Sequence, residues 1–534
     1  MKKLFGIILA VCLMVSVLTV TAVTAFAAEE TTDKLPDPAA DVVLRVKAKD
    51  KKTLKEVLIQ DYTEFDEGWE GAIDFAKDKK EREKYSRVIV DFYGDWTADE
   101  DGVFGDSWRL GSNWGDGFQY STIYIPEDVN ITLNLNGHTI DRDLEESEND
   151  GEVIYIDEGA DVIINNGTIK GGKSTNGAGG IHVDNAYLTL NNVHIVGNVA
   201  DVDDGAGIAL YDDSTLIMNG GSFKDNVIVS SWTLASLCYG GAIYVNDSKA
   251  TFENVEFKNN QTEYSSGFGA AIYANDSEVV IKNCTFDGNG IKDEAKDFQT
   301  SNSIIHADDS TINIEKSTFT NNGGGYHYDP RYAYSYTMDE YIGFYSSIFT
   351  LEDSDIFISG DSKISNNNLY YIFFARGGSS VYATDTTITD NTAMVMWSSE
   401  WNENDNYFKN CTFNNNKLTS DKMEIAGGIY DDYNGESFYI GVFENFPAIR
   451  VVFENCDMGD SHFEQWVLDY VKFVDCENTP HSTVRHFASI FGEGSLTMIV
   501  SITALIASVA AIGVSISSNK KKDDPEKATS EDNE

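Results

Sequence analysis

The chain has 534 residues, of which 87 are acidic and 39 basic, and its formal net charge is -48 at pH 7. Such a charge excludes nucleic acid and anionic lipid as partners of its surface, because both carry the same sign. The 42% of hydrophobic and 12% of aromatic residues exclude a disordered chain, because they supply enough apolar surface to bury.

Residues 1–27 have the pattern of a secretory signal peptide. Lys2 and Lys3 precede a long apolar run, and Ala25 and Ala27 supply the small-x-small pattern of a cleavage site. We therefore expect the mature chain to begin at Ala28 and to be exported.

The next segment, residues 28–125, contains an amphipathic stretch that predicts a helix from about Glu67 to Tyr85. A helix of this kind suits the end of a repeat protein, because the first repeat otherwise exposes unpaired backbone groups. We predict that this segment is an N-terminal helical cap.

An internal repeat is the strongest signal in the sequence. Five segments align without gaps, each with a polar turn, a strand, an Asn/Gly corner, a second strand and a final Asn. They are Ala186 to Asn198, Ser214 to Asn226, Ser248 to Asn260, Ser277 to Asn289 and Ser310 to Asn322. A third short apolar segment, such as Ile243-Tyr244-Val245, precedes each of them.

Hydrophobic residues alternate within each repeat and fall into the same columns from one repeat to the next, as in Leu190, Met218, Phe252, Ile281 and Ile314. A period of two indicates strands, and constant columns indicate that each strand stacks on its equivalent in the next repeat. We predict three strands per coil and an all-β fold, a right-handed parallel β-helix solenoid over residues 126–480.

Two motifs carry a resemblance to known families. Gly240-Gly241-Ala242-Ile243 and the Phe-x-x-Asn elements, such as Phe257 to Asn260, resemble repeats of polymorphic outer membrane proteins and adhesin-like β-helix proteins. The entry segment, which includes Ile131 to Ile140, resembles the first coil of the pectate-lyase-like superfamily. This resemblance implies the β-helix fold and a polysaccharide lying along one face, but that superfamily contains lyases, hydrolases, epimerases and adhesins alike.

The central residue of the third strand points away from the apolar interior, which predicts an outward column. It reads His182, Ala209, Tyr244, Tyr273, His306, Thr350, Tyr382 and then Tyr430. Aromatic faces suit sugar rings, and the spacing of stacked strands, about 4.8 Å, approaches one sugar unit. The predicted ligand-binding residues are His182, Tyr244, Tyr273, His306 and Tyr382; the alternative is that these side chains only shield neighbouring strands.

Acidic residues cluster at the turns, and the richest group is Asp201, Asp203 and Asp204. Closely spaced carboxylates favour calcium, the one candidate cofactor. The alternative is that each Asp is an ordinary turn residue that hydrogen-bonds its own backbone.

The mature chain has five cysteines, an odd number that excludes a complete disulfide framework. Cys284, Cys411, Cys456 and Cys476 occupy the small-residue column of the repeat, so we expect them to stack in the core.

The C-terminal end predicts a membrane anchor. After a short stalk, residues 481–495, the segment from Leu496 to Ile516 has no charged residue and is long enough to span a bilayer. Lys520, Lys521 and Lys522 follow it and predict a cytoplasmic tail, residues 517–534. We expect a single-pass protein of the cell membrane with most of the chain outside.

Two functions remain open at this point. The first is an adhesin-like or glycan-binding protein whose partner is a polysaccharide or a neighbouring cell surface. The alternative is a polysaccharide lyase, hydrolase or epimerase. The scarcity of basic residues and the lack of a recognisable catalytic set favour the first.

Overall fold

The computed structural model describes residues 35–98, 104, 122–144, 151–175, 177–201, 204–229, 238–262, 267–291, 303–323, 347–398, 406–416, 422–425, 428–431, 440–441, 451–459 and 471–479. The predicted signal peptide and the predicted span at 496–516 lie outside these residues. Within them, no helix is both long and apolar enough to cross a bilayer.

An N-terminal cap opens the fold. Strand Leu44–Asp50 pairs antiparallel with both Glu56–Tyr62 and Tyr85–Phe92. Helix α1, Phe65–Lys77, packs on this sheet and buries Trp69, Ala72 and Ile73. Their spacing of three and four residues places them on one face.

The predicted helix from Glu67 to Tyr85 is two helices, α1 and then α2, Lys79–Lys84. Asp78 separates them because its backbone is extended and its carboxylate accepts a hydrogen bond of 2.7 Å from the backbone N of Lys80. An Asp at this position caps a new helix and does not continue the old one. Tyr85 already begins the strand that follows.

Sheet A runs the length of the molecule and comprises the three cap strands and twenty more. The further strands are Trp96–Thr97, Asn130–Asn134, Thr139–Asp141, Asp161–Lys170, Tyr187–Val196, Thr215–Lys224, Lys249–Glu253, Glu256–Lys258, Glu278–Lys282, Thr285–Asp287, Thr311–Glu315, Thr318–Thr320, Asp355–Ser359, Lys363–Ser365, Ser380–Thr384, Thr387–Thr389, Asn406–Lys409, Thr412–Asn414, Val451–Glu454 and Val471–Val474. They pair in parallel from Tyr85–Phe92 onward.

Sheet B is parallel and comprises Ile123–Ile125, Ile154–Ile156, Ile181–Asp184, Ile208–Tyr211, Ile243–Asn246, Ile272–Asn275, Ser303–Asp308, Ser347–Glu352, Asn368–Arg376, Thr392–Ser398 and Ile440–Gly441. Sheet C, also parallel, comprises Lys173–Ser174, Val199–Asp201, Val227–Val229, Gln261–Thr262 and Gly290–Ile291. Two pairs stand apart. One is the parallel pair Cys238–Tyr239 and Gly267–Phe268, here called the cover strands, and the other is the antiparallel pair Lys422–Ile425 and Gly428–Asp431.

The predicted register of the repeats is confirmed. Leu190 pairs with Met218, Met218 with Phe252, and Phe252 with Ile281. These columns face the interior and are buried. In the neighbouring column the rings of Phe257 and Phe286 stack with centroids 4.4 Å apart, so identical side chains in successive coils fill the core as a continuous stack.

The corners explain the Asn of each Phe-x-x-Asn element. Asn226 is fully buried, and its Nδ2 donates to Oδ1 of Asn260 at 2.9 Å and to the carbonyl of Ile195 at 3.0 Å. Every buried polar atom of this side chain therefore has a partner, as burial requires. The ladder comprises Asn198, Asn226, Asn260, Asn289, Asn322, Asn367, Asn391 and Asn416.

The prediction of three strands per coil missed sheet C. Four of its five strands directly follow a buried Asn, and Lys173–Ser174 follows Gly172. All five are two or three residues long. Segments this short are too brief to produce a recognisable period in the sequence.

The prediction that the cysteines stack as core residues is confirmed for Cys284, Cys411 and Cys456, which are buried, and Cys476 is partly buried. The fifth, Cys238, lies on a cover strand instead.

Candidate functional site

The outward side of sheet B carries seven aromatic side chains in contact from coil to coil, here called the aromatic row. They are Tyr124, Tyr155, His182, Tyr211, Tyr244, Tyr273 and His306. Tyr124, Tyr155, His182, Tyr244, Tyr273 and His306 occupy the predicted outward position. Tyr211 lies two positions beyond Ala209, and its ring continues the row where Ala209 has none.

Four of the six ring contacts in the row are stacked, and the contacts of Tyr124 with Tyr155 and of Tyr211 with Tyr244 are tilted. The centroids of Tyr155 and His182 are 4.5 Å apart with 14° between their planes, and those of His182 and Tyr211 are 4.9 Å apart with 27°. Stacked rings use their faces for each other, so the row presents ring edges and polar atoms outward. The expectation that sugars stack on the ring faces stays a prediction.

Carboxylates border the N-terminal part of the row. The Tyr124 hydroxyl donates a short hydrogen bond to Asp157, and the Tyr155 hydroxyl donates to Asp184 at 3.4 Å. Burial raises the pKa of Asp184, and repulsion from Asp212 and Asp157 raises it further. Burial also raises the pKa of Tyr155, and repulsion from Asp184 and Asp157 adds to the effect. This border can accept hydrogen bonds from hydroxyl or ammonium groups.

His182 lies between two tyrosine rings and is half-buried. Its surroundings lower its pKa to about 4, chiefly because burial disfavours the charged imidazolium. At neutral pH it is therefore an uncharged ring with both donor and acceptor capacity. The structure confirms its predicted outward position, and its ligand-binding role stays a prediction.

Farther along the row the cover strands lie over it. The ring of Tyr239 lies 4.3 Å from that of Tyr273, and the ring of Phe268 lies 5.0 Å from that of His306. Tyr273 is 7% and His306 4% exposed. Both residues point away from the helix interior as predicted, but they are buried beneath a second layer.

Glycines hold the cover in place and explain the Gly-Gly-Ala motif. Gly240 and Gly269 turn the chain from a cover strand into sheet B with φ of +78° and +70°. A Cβ at either position would lie 2.3 Å from the carbonyl oxygen of Ile243 or Ile272. Only glycine accommodates both the backbone conformation and the close contact.

A charged group lies at the edge of the covered part. Glu352 pairs with Arg376 and lies 3.7 Å from Nε2 of His306. Burial lowers the pKa of His306 to about 3, so this ring is neutral at physiological pH. Burial and the neighbouring carboxylates, above all Glu352, raise the pKa of Asp308.

Tyr382 does not belong to the aromatic row. It lies on strand Ser380–Thr384 of sheet A, where it pairs with Phe357 and Tyr407, and its ring stacks on Phe357 at 5.1 Å. The outward column of sheet B continues through Thr350 to Phe374. The prediction assigned Tyr382 to the wrong sheet, because strands of sheet A and strands of sheet B have the same alternating pattern. Tyr430, also placed in that column, lies in the antiparallel pair.

The predicted calcium residues are only partly within the described part of the chain, since Asp203 lies outside it. Oδ1 of Asp204 accepts a hydrogen bond of 3.0 Å from the backbone N of Tyr239, which fastens a cover strand. In the described residues, no three His, Cys, Asp or Glu side chains converge as a metal site. The acidic turn residues, such as Asp247 and Asp276, adopt positive φ, as expected for turn residues.

Comparison with protein families identifies one match. A model described as "right handed beta helix region" matches residues 119–305 and 217–356. The fold is a right-handed parallel β-helix. Neither a curated protein nor a solved structure matches the chain. The β-helix therefore has the architecture of the pectate-lyase-like superfamily, and the match extends over the whole aromatic row.

Sequence reasoning missed Tyr124, Tyr155 and Tyr211. An apolar–aromatic–apolar triplet like Ile243-Tyr244-Val245 also occurs at Ile123-Tyr124-Ile125 and Ile154-Tyr155-Ile156. This shared pattern could have extended the predicted column toward the N-terminus. Tyr211 had no such signal, because it reaches the row from a different position of its strand.

Proposed function

We propose that the chain is an exported, membrane-anchored surface protein whose β-helix binds a polysaccharide along the open part of the aromatic row. The open part comprises Tyr124, Tyr155, His182, Tyr211 and Tyr244, all of them partly exposed. The single observation that carries the proposal is the unbroken contact of these rings over successive coils.

The spacing suits a polymer. Rings repeat at the coil spacing, about 4.8 Å, so a chain molecule lying parallel to the helix axis meets a similar set of groups at each step. Hydroxyl groups of the tyrosines and carboxylates of Asp157 and Asp184 face the same side. Such donors and acceptors match sugar hydroxyls.

Charge limits the class of polysaccharide. The net charge of -48 disfavours polyanionic glycans, and the carboxylate border of the row adds local repulsion. Neutral glycans and glycans with amino groups remain as ligands, and the second group gains attraction from Asp157 and Asp184. Added salt should therefore weaken the binding of amino-substituted glycans, because it screens their attraction to these carboxylates.

Binding of the full chain to immobilised neutral, amino-substituted and polyuronate glycans tests the proposal. Tyr155→Ala should weaken binding about tenfold, which corresponds to ~1.4 kcal/mol. Tyr187→Ala is the matched control, because Tyr187 is 58% exposed on sheet A. Equal binding by the two variants, or binding of polyuronates alone, would contradict the proposal. Release of new reducing ends from any of the glycans would show instead that the protein cleaves its ligand.

Export and anchoring have their own test. The full chain should fractionate with membranes, and added protease should degrade the β-helix in intact cells. Deletion of residues 496–534 should release the protein to the medium. A protease-resistant or cytosolic chain would contradict this part of the proposal and leave glycan binding untouched.

A further inference from the structure

Three thiols lie at the same corner of three successive coils near the C-terminal end. Lys409 pairs with Glu454 and Glu454 with Val474, which brings Cys411, Cys456 and Cys476 into register two residues later. Sγ of Cys456 accepts a hydrogen bond of 3.4 Å from the backbone N of Cys411. Sγ of Cys476 accepts the same bond from Cys456, also at 3.4 Å.

Neighbouring members of this set are close enough to be linked covalently. Residues in register on adjacent parallel strands lie about 4.8 Å apart, within the Cα–Cα range of disulfides, about 4.4–6.8 Å. Cys411 and Cys476 are two coils apart, about twice that spacing.

The fourth cysteine of the same column provides an internal contrast. Cys284 has Val255 one coil before it and Ser317 one coil after it, and its backbone N donates to Oγ of Ser317 at 3.0 Å. Its sulfur therefore has no thiol in an adjacent coil. The set near the C-terminal end, in contrast, has cysteine at this place in three consecutive coils.

We propose that Cys411, Cys456 and Cys476 form a disulfide site in which Cys456 pairs with either Cys411 or Cys476. One disulfide forms, and one thiol of the three stays reduced. The disulfide links coils that are 45 or 20 residues apart in the sequence, so it fastens the C-terminal coils to each other. This inference does not depend on glycan binding.

The reaction is a thiol–disulfide exchange with a low-molecular-weight disulfide. Cys476 is the partly exposed member, so the reagent reaches it first. Its interaction with Cys456 and its burial raise the pKa of its thiol, so a small thiolate fraction attacks the reagent, forms a mixed disulfide and releases one reagent thiol. The thiolate of Cys456 then attacks the Cys476 sulfur and releases the second reagent thiol. Two protein thiols lose two protons and two electrons, and the reagent disulfide is reduced to two thiols.

The Cys456–Cys476 disulfide can then exchange to a Cys411–Cys456 disulfide without further oxidant. The thiolate of Cys411 attacks the Cys456 sulfur, forms the Cys411–Cys456 bond and releases Cys476 as a thiolate. The two linkages thus exchange through Cys456, the member that both of them share.

The test treats the folded full chain with glutathione disulfide at about pH 8.5, near the ordinary thiol pKa. The remaining thiols are then alkylated in denaturant, and linked peptides are identified by mass spectrometry. The native chain should give one linkage, always with Cys456. Cys411→Ser and Cys476→Ser should each keep the other linkage, Cys456→Ser should have none, and Cys284→Ser should match the native chain.

Three results would overturn the proposal: no linked peptide with Cys456 in the folded native chain, glutathione remaining on Cys476 without an internal linkage, or a Cys411–Cys476 linkage in Cys456→Ser. Circular dichroism establishes that each variant is folded. As a second readout, limited proteolysis of the C-terminal coils should slow several-fold after oxidation and recover after reduction. Unchanged proteolysis of a chain shown to be linked would refute the fastening role.

Discussion

The two ends of the aromatic row share one strand position and differ in what lies over them. Tyr155 and His182 remain partly exposed next to carboxylates, whereas Tyr273 and His306 are buried beneath Tyr239 and Phe268. The same residue types therefore serve two purposes. In the covered part they form a small second core, and in the open part they remain available to a ligand.

The difference originates in the connections between coils. Residues 238–239 and 267–268 pair with each other as cover strands directly before sheet B, and Gly240 and Gly269 permit the turn that folds them over the row. Tyr239 also reaches Tyr244 at the border of the open part, with ring centroids 6.2 Å apart. Whether a row of rings becomes core or surface is thus decided by the insertions and not by the repeat.

The largest effect is expected when a ring is removed from the covered part. Tyr273→Ala should destabilise the coil around Ile272–Asn275 by about 3 kcal/mol, because it leaves a cavity beneath Tyr239. Hydrogen exchange of that strand should accelerate on the order of a hundredfold, since each tenfold corresponds to ~1.4 kcal/mol. Tyr155→Ala is the comparison, and equal acceleration in the two variants would contradict the distinction between the two parts.

The next largest effect is a loss of folding stability when buried histidines gain protons at acidic pH. His306 has a folded pKa of about 3, below the unfolded value of about 6.5, so the unfolded chain binds the proton first. Stability is complete above about pH 6.5 and is lost as the pH falls toward the folded value, with a slope of up to ~1.4 kcal/mol per pH unit. His182, with a folded pKa of about 4, adds a similar loss.

Urea unfolding between pH 7 and 5 measures this loss, in a range above the ordinary titration of carboxylates. His306→Gln should flatten the pH dependence, because it removes a group that gains a proton on unfolding. Glu352, Arg376 and Asp308 face the same site and stay unchanged in this variant. An unaltered slope would show that His306 has the same pKa in the folded and the unfolded chain, which would contradict a neutral buried ring.

A smaller effect is expected from the fastening of the cover. Asp204→Ala removes the acceptor for the backbone N–H of Tyr239 and should loosen the cover strand by about 1 kcal/mol. Faster hydrogen exchange at Tyr239 and Tyr273 would report it. Asp204→Asn is the control, because it keeps an acceptor oxygen. If hydrogen exchange accelerates equally in both variants, the effect is due to the lost charge and not to the lost hydrogen bond.

No effect on binding is expected from Tyr382→Ala. Tyr382 lies on sheet A, away from the aromatic row, so glycan affinity should equal that of the native chain. If Tyr382→Ala loses affinity and Tyr155→Ala binds as the native chain does, the glycan binds to sheet A and not to the aromatic row.

The repeat made most of the fold predictable. Columns such as Leu190, Met218 and Phe252 reveal inward positions because each coil has the same environment as the last. The break between α1 and α2 and the short strands of sheet C were not predictable in this way. The break between the helices depends on a single capping residue, Asp78. Each strand of sheet C depends on backbone pairing over only two or three residues.

The site was less predictable than the fold. Outward residues obey the alternation of their strand, so His182 and Tyr244 were placed correctly. Their exposure depends on Tyr239 and Phe268, which come from connections that vary in length and have no column to follow. Tyr382 was misplaced for a related reason, since alternation identifies a strand without identifying its sheet.

The most direct test of the central claim is oxidative footprinting of the full chain with and without a bound glycan, read by mass spectrometry at individual tyrosines. A bound glycan should protect Tyr155 and Tyr211, while labelling of the exposed Tyr187 on sheet A stays unchanged and Tyr273 is weakly labelled in either state. Protection of Tyr187 or Tyr382, with Tyr155 labelled equally in both states, would contradict the claim.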